Sequence, residues 1–255
     1  MPNHGLILDK IEPQDYFGGG KIELGGEVLR PDGQWDNYLP SDELQNKGFE
    51  PSACVSFGTL NCVEVLERFI YGDVENYSDR FLAYASGTTL QGNSPQKVAE
   101  KLRKAGAVKE SEWPYPENAT WTTYYQTPPQ NMYTRALEFM AKYDFGHQYE
   151  SADPLSMMKA LTYSPLGVAV FAWPQPDSEG ILHRPLGAQS NHWCMVYGYV
   201  PNQYWKVMDT YDNTKKKLAW NFGFEQVKRY TLHKQVVNNT AWGRFVALLK
   251  MLFPI

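Results

Sequence analysis

The order of elements predicts an α+β protein whose helices and strands are segregated rather than alternating. Three observations carry that expectation. Helical periodicity and helix caps dominate residues 41–150, and short β-branched and aromatic runs dominate residues 151–235. No internal repeat, low-complexity segment or flexible linker divides the two parts. The 255 residues are therefore expected to form one unit, 1–255, with an irregular arm over 1–40 and a tail over 236–255 beside the two lobes.

The arm is rich in Gly and Pro, including Gly18-Gly19-Gly20 and Gly25-Gly26, which form helix poorly. A wrapped course with one hairpin is expected there. Next, SACVSFGTLNCVEVLERFIYG repeats Cys54, Phe57, Leu60, Val63, Leu66 and Phe69 at helical spacing, with Ser52 after Pro51 as the expected N-cap and Gly72 as the stop. Cys54 falls in the first turn. Ser78 is expected to cap a helix over 79–85, and Ser94 with Pro95 to open one running to Gly106. Two more are expected over 132–142 and from Asp153-Pro154, the second with Leu155, Met158 and Leu161 on one face. Strands are expected at 166–173, 192–199, 204–209 and 226–232.

Composition narrows the function classes. A 43% hydrophobic content supports a substantial core, and 15% aromatic residues with 20 Gly and 17 Pro describe a turn-rich protein packed through large side chains. A net charge of −4 leaves no excess for a polyanion, so no nucleic-acid partner is expected and Lys215-Lys216-Lys217 reads as a solvated turn. Three cysteines, Cys54, Cys62 and Cys194, cannot build a disulfide framework, which points to the cytoplasm or another reducing compartment. The opening MPNHGLILDKIEPQ has neither a basic leader nor a small-residue cleavage site, so no signal peptide is expected. On that ground the glycosylation patterns at Asn76, Asn118 and Asn238 are set aside. FVALLKMLFPI falls short of the roughly 20 residues a membrane span needs. It is expected to dock on the protein or to meet a protein partner. With no C-x-x-C, H-E-x-x-H or Walker-type loop, no metal and no cofactor are expected.

One constellation carries chemistry. Taken alone, Cys54 reads as a small buried hydrophobe. In the first turn of a helix, however, the free N–H groups and the positive end of the dipole favour a thiolate, the attacking species. His192 opens the run HWCMVYGY, 138 residues after Cys54. That separation lies within the roughly 130–150 residues of a Cys…His pair brought together by folding.

Four segments in order, LQNKGFEPSACVSF, SPQKVAEKLRKAGAVKESEWPYP, SNHWCMVYGYV and QYWKVMDTYDN, resemble the papain-like cysteine peptidase family. The resemblance implies a helical lobe and a strand-rich, barrel-like lobe with the active site between them. It implies Cys54 as nucleophile, His192 as general base, and Gln45 as the oxyanion donor, with Lys47 as the alternative if the turn is aligned on Gly48. Asp209 takes the place of the usual orienting asparagine, with Asp212 and Asn213 as less well-placed substitutes. A carboxylate there can accept His192 Nδ1–H and favour the imidazolium. Gln45 lies farther from the nucleophile than the family's glutamine does, and Val55 stands where an aromatic residue commonly follows it. Cys62 and Cys194 then belong to the core. Without room for the usual inhibitory prosegment, a short microbial or viral member is expected, virion association included.

The implied activity is a thiol endopeptidase acting on an extended polypeptide, with Trp173 and Ala169 shaping a side-chain pocket. A second reading directs the same Cys-His chemistry to a non-protein amide. A third is a papain-fold binding or structural protein without turnover, suggested by the altered Gln and Asn positions and the apolar tail.

Overall fold

The computed structural model describes residues 4–16, 26–211 and 215–235. The tail 236–255, the Gly-rich stretch 17–25 and the candidates Asp212 and Asn213 lie outside the described residues.

Helix α1 (Cys54–Tyr71) runs through the interior, and every residue from Cys54 to Glu67 is buried. Two of its acidic members are paired: Glu64 Oε1 accepts the Tyr77 N–H at 2.9 Å, and Glu67 Oε1 accepts from the Tyr143 hydroxyl and, at 3.3 Å, from Lys142 Nζ, whereas Ser56 Oγ, Asn61 Nδ2 and Glu67 Oε2 are buried without a hydrogen-bond partner among the described residues. Gly72, at φ 69°, closes the helix as expected and donates its N–H to the Arg68 carbonyl. Ser52 does not cap the start. Its own φ is 54°, Ala53 takes the N-cap position without a side-chain bond, and the Ser52 hydroxyl donates to the Leu90 carbonyl. The entry to α1 is thus left without a side-chain cap.

Around it stand α2 (Asp79–Ala85), capped by Ser78, and α3 (Pro95–Ala105), capped by Ser94 with Pro95 in the first turn. A single turn, α4 (Trp121–Tyr124), precedes α5 (Gln130–Lys142). Helix α6 (Pro154–Leu161) is capped by Asp153 as expected, but it buries Met157, Ala160 and Leu161 and leaves Leu155 77% exposed. Eight residues are too few for an apolar repeat to fix which face turns inward.

Seven strands form one sheet: β1 (Tyr143–Glu150), β2 (Leu166–Val170), β3 (Ile181–Leu182), β4 (His192–Val200), β5 (Tyr204–Met208), β6 (Lys215–Ala219) and β7 (Val227–Lys234). Their order is β1-β7-β2-β4-β5-β6-β3, antiparallel except between β3 and β6. The sheet is open, with β1 and β3 at its edges, so the expected barrel-like closure is not found. The lysine run is strand β6 rather than a turn, because Lys216 points inward between outward-facing Lys215 and Lys217. Helix α1 packs directly on β4. A Cβ on Gly58 would stand 2.8 Å from the Trp193 ring, so the absence of a side chain at Gly58 sets this approach.

No hairpin is present among the described residues of the arm; Leu6 makes a single parallel bridge to Asn93. Asp9 ties the arm to helix α3 and to the sheet. Its carboxylate accepts from the Tyr149 hydroxyl and from the Gln96 N–H at 2.9 Å, and its backbone pairs with the Gln226 side chain. Beneath it the fully buried Lys228 donates to Gln96 Oε1 at 2.6 Å and to His147 Nδ1 at 3.3 Å, with its ammonium over the Tyr149 ring. Burial lowers Lys228 to about 7, against the pull of Asp9, Asp15 and Glu100, and lowers His147 to about 4.

The sign for stability follows from which state binds more protons. Between pH 7 and the ordinary lysine range the unfolded chain holds a proton at Lys228 that the folded chain has lost, so stability rises with pH there by up to about 1.4 kcal/mol per unit. Cys54, Cys62 and Cys194, all free and buried with raised thiol values, act oppositely once unfolded thiols ionise above about pH 8.5. Urea midpoints are expected to climb from pH 7 to about 8.5 and then fall. In Lys228→Met the climb should disappear; an unchanged slope would show that Lys228 is charged in the folded protein.

Among the described residues no helix is long and apolar enough to cross a membrane.

Candidate active site

Cys54 occupies the first position of α1, His192 the first of β4, and Asp209 follows β5 directly. The α1–β4 contact and the β4–β5 pairing bring the three together. All are buried: Cys54 and His192 are 0% and Asp209 is 1% exposed.

Asp209 is the hub. His192 Nε2 donates to its Oδ1 at 2.8 Å, and the Thr210 N–H donates to the same oxygen at 2.8 Å. Trp173 Nε1 donates to Oδ2 at 2.7 Å, and Lys216 Nζ lies 3.3 Å from that atom. Burial raises the Asp209 carboxyl, but the His192 hydrogen bond and charge, the Lys216 ammonium and the Thr210 N–H outweigh it and hold the group below its ordinary range. An ionised carboxylate only accepts, so Nε2 carries a hydrogen. The expectation that Asp209 would take the Nδ1–H is therefore corrected. His192 Nδ1 is buried with no hydrogen-bond partner among the described residues.

The Cys54 thiol receives the Trp193 backbone N–H, one residue beyond His192. Burial nevertheless pushes the thiol far above its ordinary value, and the Glu50 and Asp209 carboxylates push it the same way. The lowering expected from the helix start is outweighed in this covered form.

Gln45 is fully buried in the same neighbourhood. Its N–H donates to the Thr210 carbonyl at 2.7 Å, and its Oε1 accepts from the Thr210 hydroxyl at 3.0 Å. Its amide donates to Glu50 Oε1 at 3.0 Å and to the Tyr211 hydroxyl at 2.9 Å, and the Tyr211 hydroxyl in turn donates to Glu50. Both amide hydrogens are thus engaged. Lys47 sits elsewhere, over the Tyr115 ring. Ala169 is buried inside β2, and Trp173 packs edge-on to His192 at 5.7 Å.

The arm covers the site. The His4 N–H donates to the Asn191 carbonyl at 3.0 Å, and the His4 ring packs edge-on to His192 at 5.6 Å and to Tyr211 at 4.5 Å. Burial and the neighbouring His192 push His4 down to about 4, so a neutral ring meets the pair. Beyond it, Asn93 donates its N–H to the Gly5 carbonyl at 2.9 Å and accepts the Ile7 N–H at 2.9 Å. Gly5, at φ 104°, would place a Cβ 2.2 Å from the Ser52 carbonyl oxygen, so only glycine passes there.

Sequence reasoning did not single out His4, Glu50, Thr210, Tyr211 or Lys216 as parts of the site. For Glu50 there was a signal, since it lies in the lengthened turn between Gln45 and Cys54.

No family model matches this sequence, and no curated protein matches it. Solved structures do. Digestive procathepsin L 3 of Tenebrio molitor larval midgut superposes with a TM-score of 0.60 at 18% identity, over 78% of this chain and 68% of that one. The bromelain protease of Ananas comosus, in complex with the E64 inhibitor, gives 0.56 at 20% identity over 78% and 98%. The Amb a 11 cysteine protease, a ragweed pollen allergen, in its proform, gives 0.57 at 14% identity over 78% and 65%. The chain has a papain-like fold, that of the cysteine proteases. Within that fold it is a divergent sequence, with an aspartate facing its histidine and a glutamate beside its cysteine.

Proposed function

We propose that this chain is a cysteine peptidase that cleaves polypeptides through Cys54 and His192, with Asp209 orienting the histidine. The observation supporting this reading is the His192 ring itself: held at Nε2 by Asp209, it keeps Nδ1 unpaired among the described residues, beside the strand position that reaches the Cys54 thiol. A neutral imidazole protonated at Nε2 is basic at Nδ1.

In the proposed reaction Nδ1 takes the thiol proton and Sγ attacks the scissile carbonyl carbon. Nδ1 then gives the proton to the leaving nitrogen as the C–N bond breaks, leaving a thioester. Water, losing a proton to the same nitrogen, releases the acid and restores the thiol. The first N–H groups of α1, left without a side-chain cap, and the Gln45 amide, once turned from Glu50, supply donors to the oxyanion. An extended substrate takes the groove beside Asn93 and Asn191 that residues 4–7 now fill.

The raised thiol and the engaged Gln45 amide favour one other reading, a papain-fold binding protein without turnover. Intact mass after brief exposure to an epoxysuccinyl-peptide inhibitor at mildly acidic pH separates the two. The parent chain and Gly5→Val, in which the arm is displaced, are compared with Cys54→Ala versions of each. A single adduct lost with Cys54 is expected. No adduct on either folded protein would favour the binding protein.

A further inference from the structure

We propose that Lys216 is a positioning residue that balances the charge of Asp209, so that the carboxylate and ammonium together face His192 as a neutral acceptor would. The inference rests on the Cys54–His192 reading above. It begins from a mismatch: the position facing His192 is taken by a charged group, whereas the resemblance implies a neutral asparagine there. A lone carboxylate at that depth is costly without a partner.

Strand β6 supplies the partner. Lys216 stands in register with Val207, two residues before Asp209, and its side chain is 9% exposed, against 49% for Lys215. Its Nζ lies 3.3 Å from Asp209 Oδ2, the oxygen facing away from His192, and 5.1 Å from the centre of the Trp173 ring. The carboxylate is therefore divided: Oδ1 serves His192 and Thr210, while Oδ2 serves Trp173 and Lys216. Lys215 and Lys217 turn instead to Asp42 and the Tyr204 ring. One lysine of the run thus has a buried anionic partner, and that partner is the group holding the histidine.

The ionisable groups around the pair are His4 from the arm, Glu50 from the turn before α1, Cys54 from α1, Cys194 from β4, and Tyr211. Among the cations that bear on Asp209, Lys216 stands with His192 itself. An uncompensated Asp209 would favour the imidazolium and withdraw the neutral base that Cys54 requires. With Lys216 in place, the carboxylate orients the ring while its charge is offset.

The test reads the histidine directly and does not need turnover. In Cys54→Ala protein carrying labelled histidine, the His192 ring signal is assigned by its loss in His192→Gln and followed against pH. Lys216→Met should raise the titration midpoint by about one pH unit, and Asp209→Asn should lower it, because each leaves the other charge unopposed. The double variant should return close to the parent, and Lys216→Arg should match the parent. A midpoint unmoved by Lys216→Met, or moved equally with Asp209 and with Asn at that position, would overturn the proposal. Should Lys216→Met fail to fold, Lys216→Gln carries the same comparison. Failure here with normal Cys54 labelling removes only Lys216's role, whereas failed labelling with the expected titrations removes the peptidase reading.

Discussion

Replacing His192 by alanine is expected to slow covalent capture of Cys54 about 1,000-fold near pH 6, the scale of a lost general base. His192 Nδ1 is a nitrogen left unpaired among the described residues, and the surrounding groups drive the thiol toward its neutral form. Without the imidazole, the attacking thiolate must form against burial and against the Glu50 and Asp209 carboxylates. The rate is best measured in the Gly5→Val background, so that access does not limit it, with thermal unfolding recorded alongside. A fall of less than about tenfold would remove His192 from the reaction, since even a modest general base contributes more than that.

Gly5→Val carries the second large effect, in the opposite direction. A side chain at this position would meet the Ser52 carbonyl 2.2 Å away, in a backbone conformation that valine resists. The arm should then lose its two backbone bonds to Asn93 and the His4 ring contacts. Those contacts together amount to about 3 kcal/mol, so labelling of Cys54 should rise roughly 100-fold. Residue 5 is not part of the proposed chemistry, so the gain would report uncovering alone. Labelling no faster than the parent's would mean that something other than residues 4–7 closes the site.

Much of the scaffold could be read from the sequence because local chemistry announces it. Ser78, Ser94-Pro95, Asp153-Pro154 and Gly72 act in the structure as their residue types predict, and HWCMVYGY forms a buried central strand. Strand β1 was hidden because buried polar residues stand on both of its faces, His147 on one, in the network around Lys228, and Gln148 on the other, bonded to Glu150. Strand β6 was hidden by its charge, since three consecutive lysines mask an alternation in which only the middle one turns in. Ser52 misled because a lengthened turn brings it to a left-handed conformation, where its hydroxyl reaches Leu90 instead of the helix.

The site divides along the same line. Cys54 and His192 could be proposed because each begins a regular element at a telling separation, and Asp209 because QYWKVMDTYDN resembles the family segment that carries the orienting residue. Tyr211 and His4 could not, because Tyr211 meets Glu50 and His4 across separations of about 160 to 210 residues through loops and the arm. No periodicity encodes such contacts. Likewise, the raised thiol is a property of the covered assembly, which the position of Cys54 on its helix does not disclose.

The link between Asp9 and Gln226 spans 217 residues of chain. During synthesis this pair cannot form until residue 226 has been made, because contacts this distant close only after the intervening chain is complete. Until Gln226 emerges, a nascent chain can seat Asp9 on Gln96 and Tyr149 but lacks the backbone pairing that completes the anchor. Restraint of the thiol is then completed late in assembly, and a chain stopped before Gln226 would hold its arm by fewer bonds.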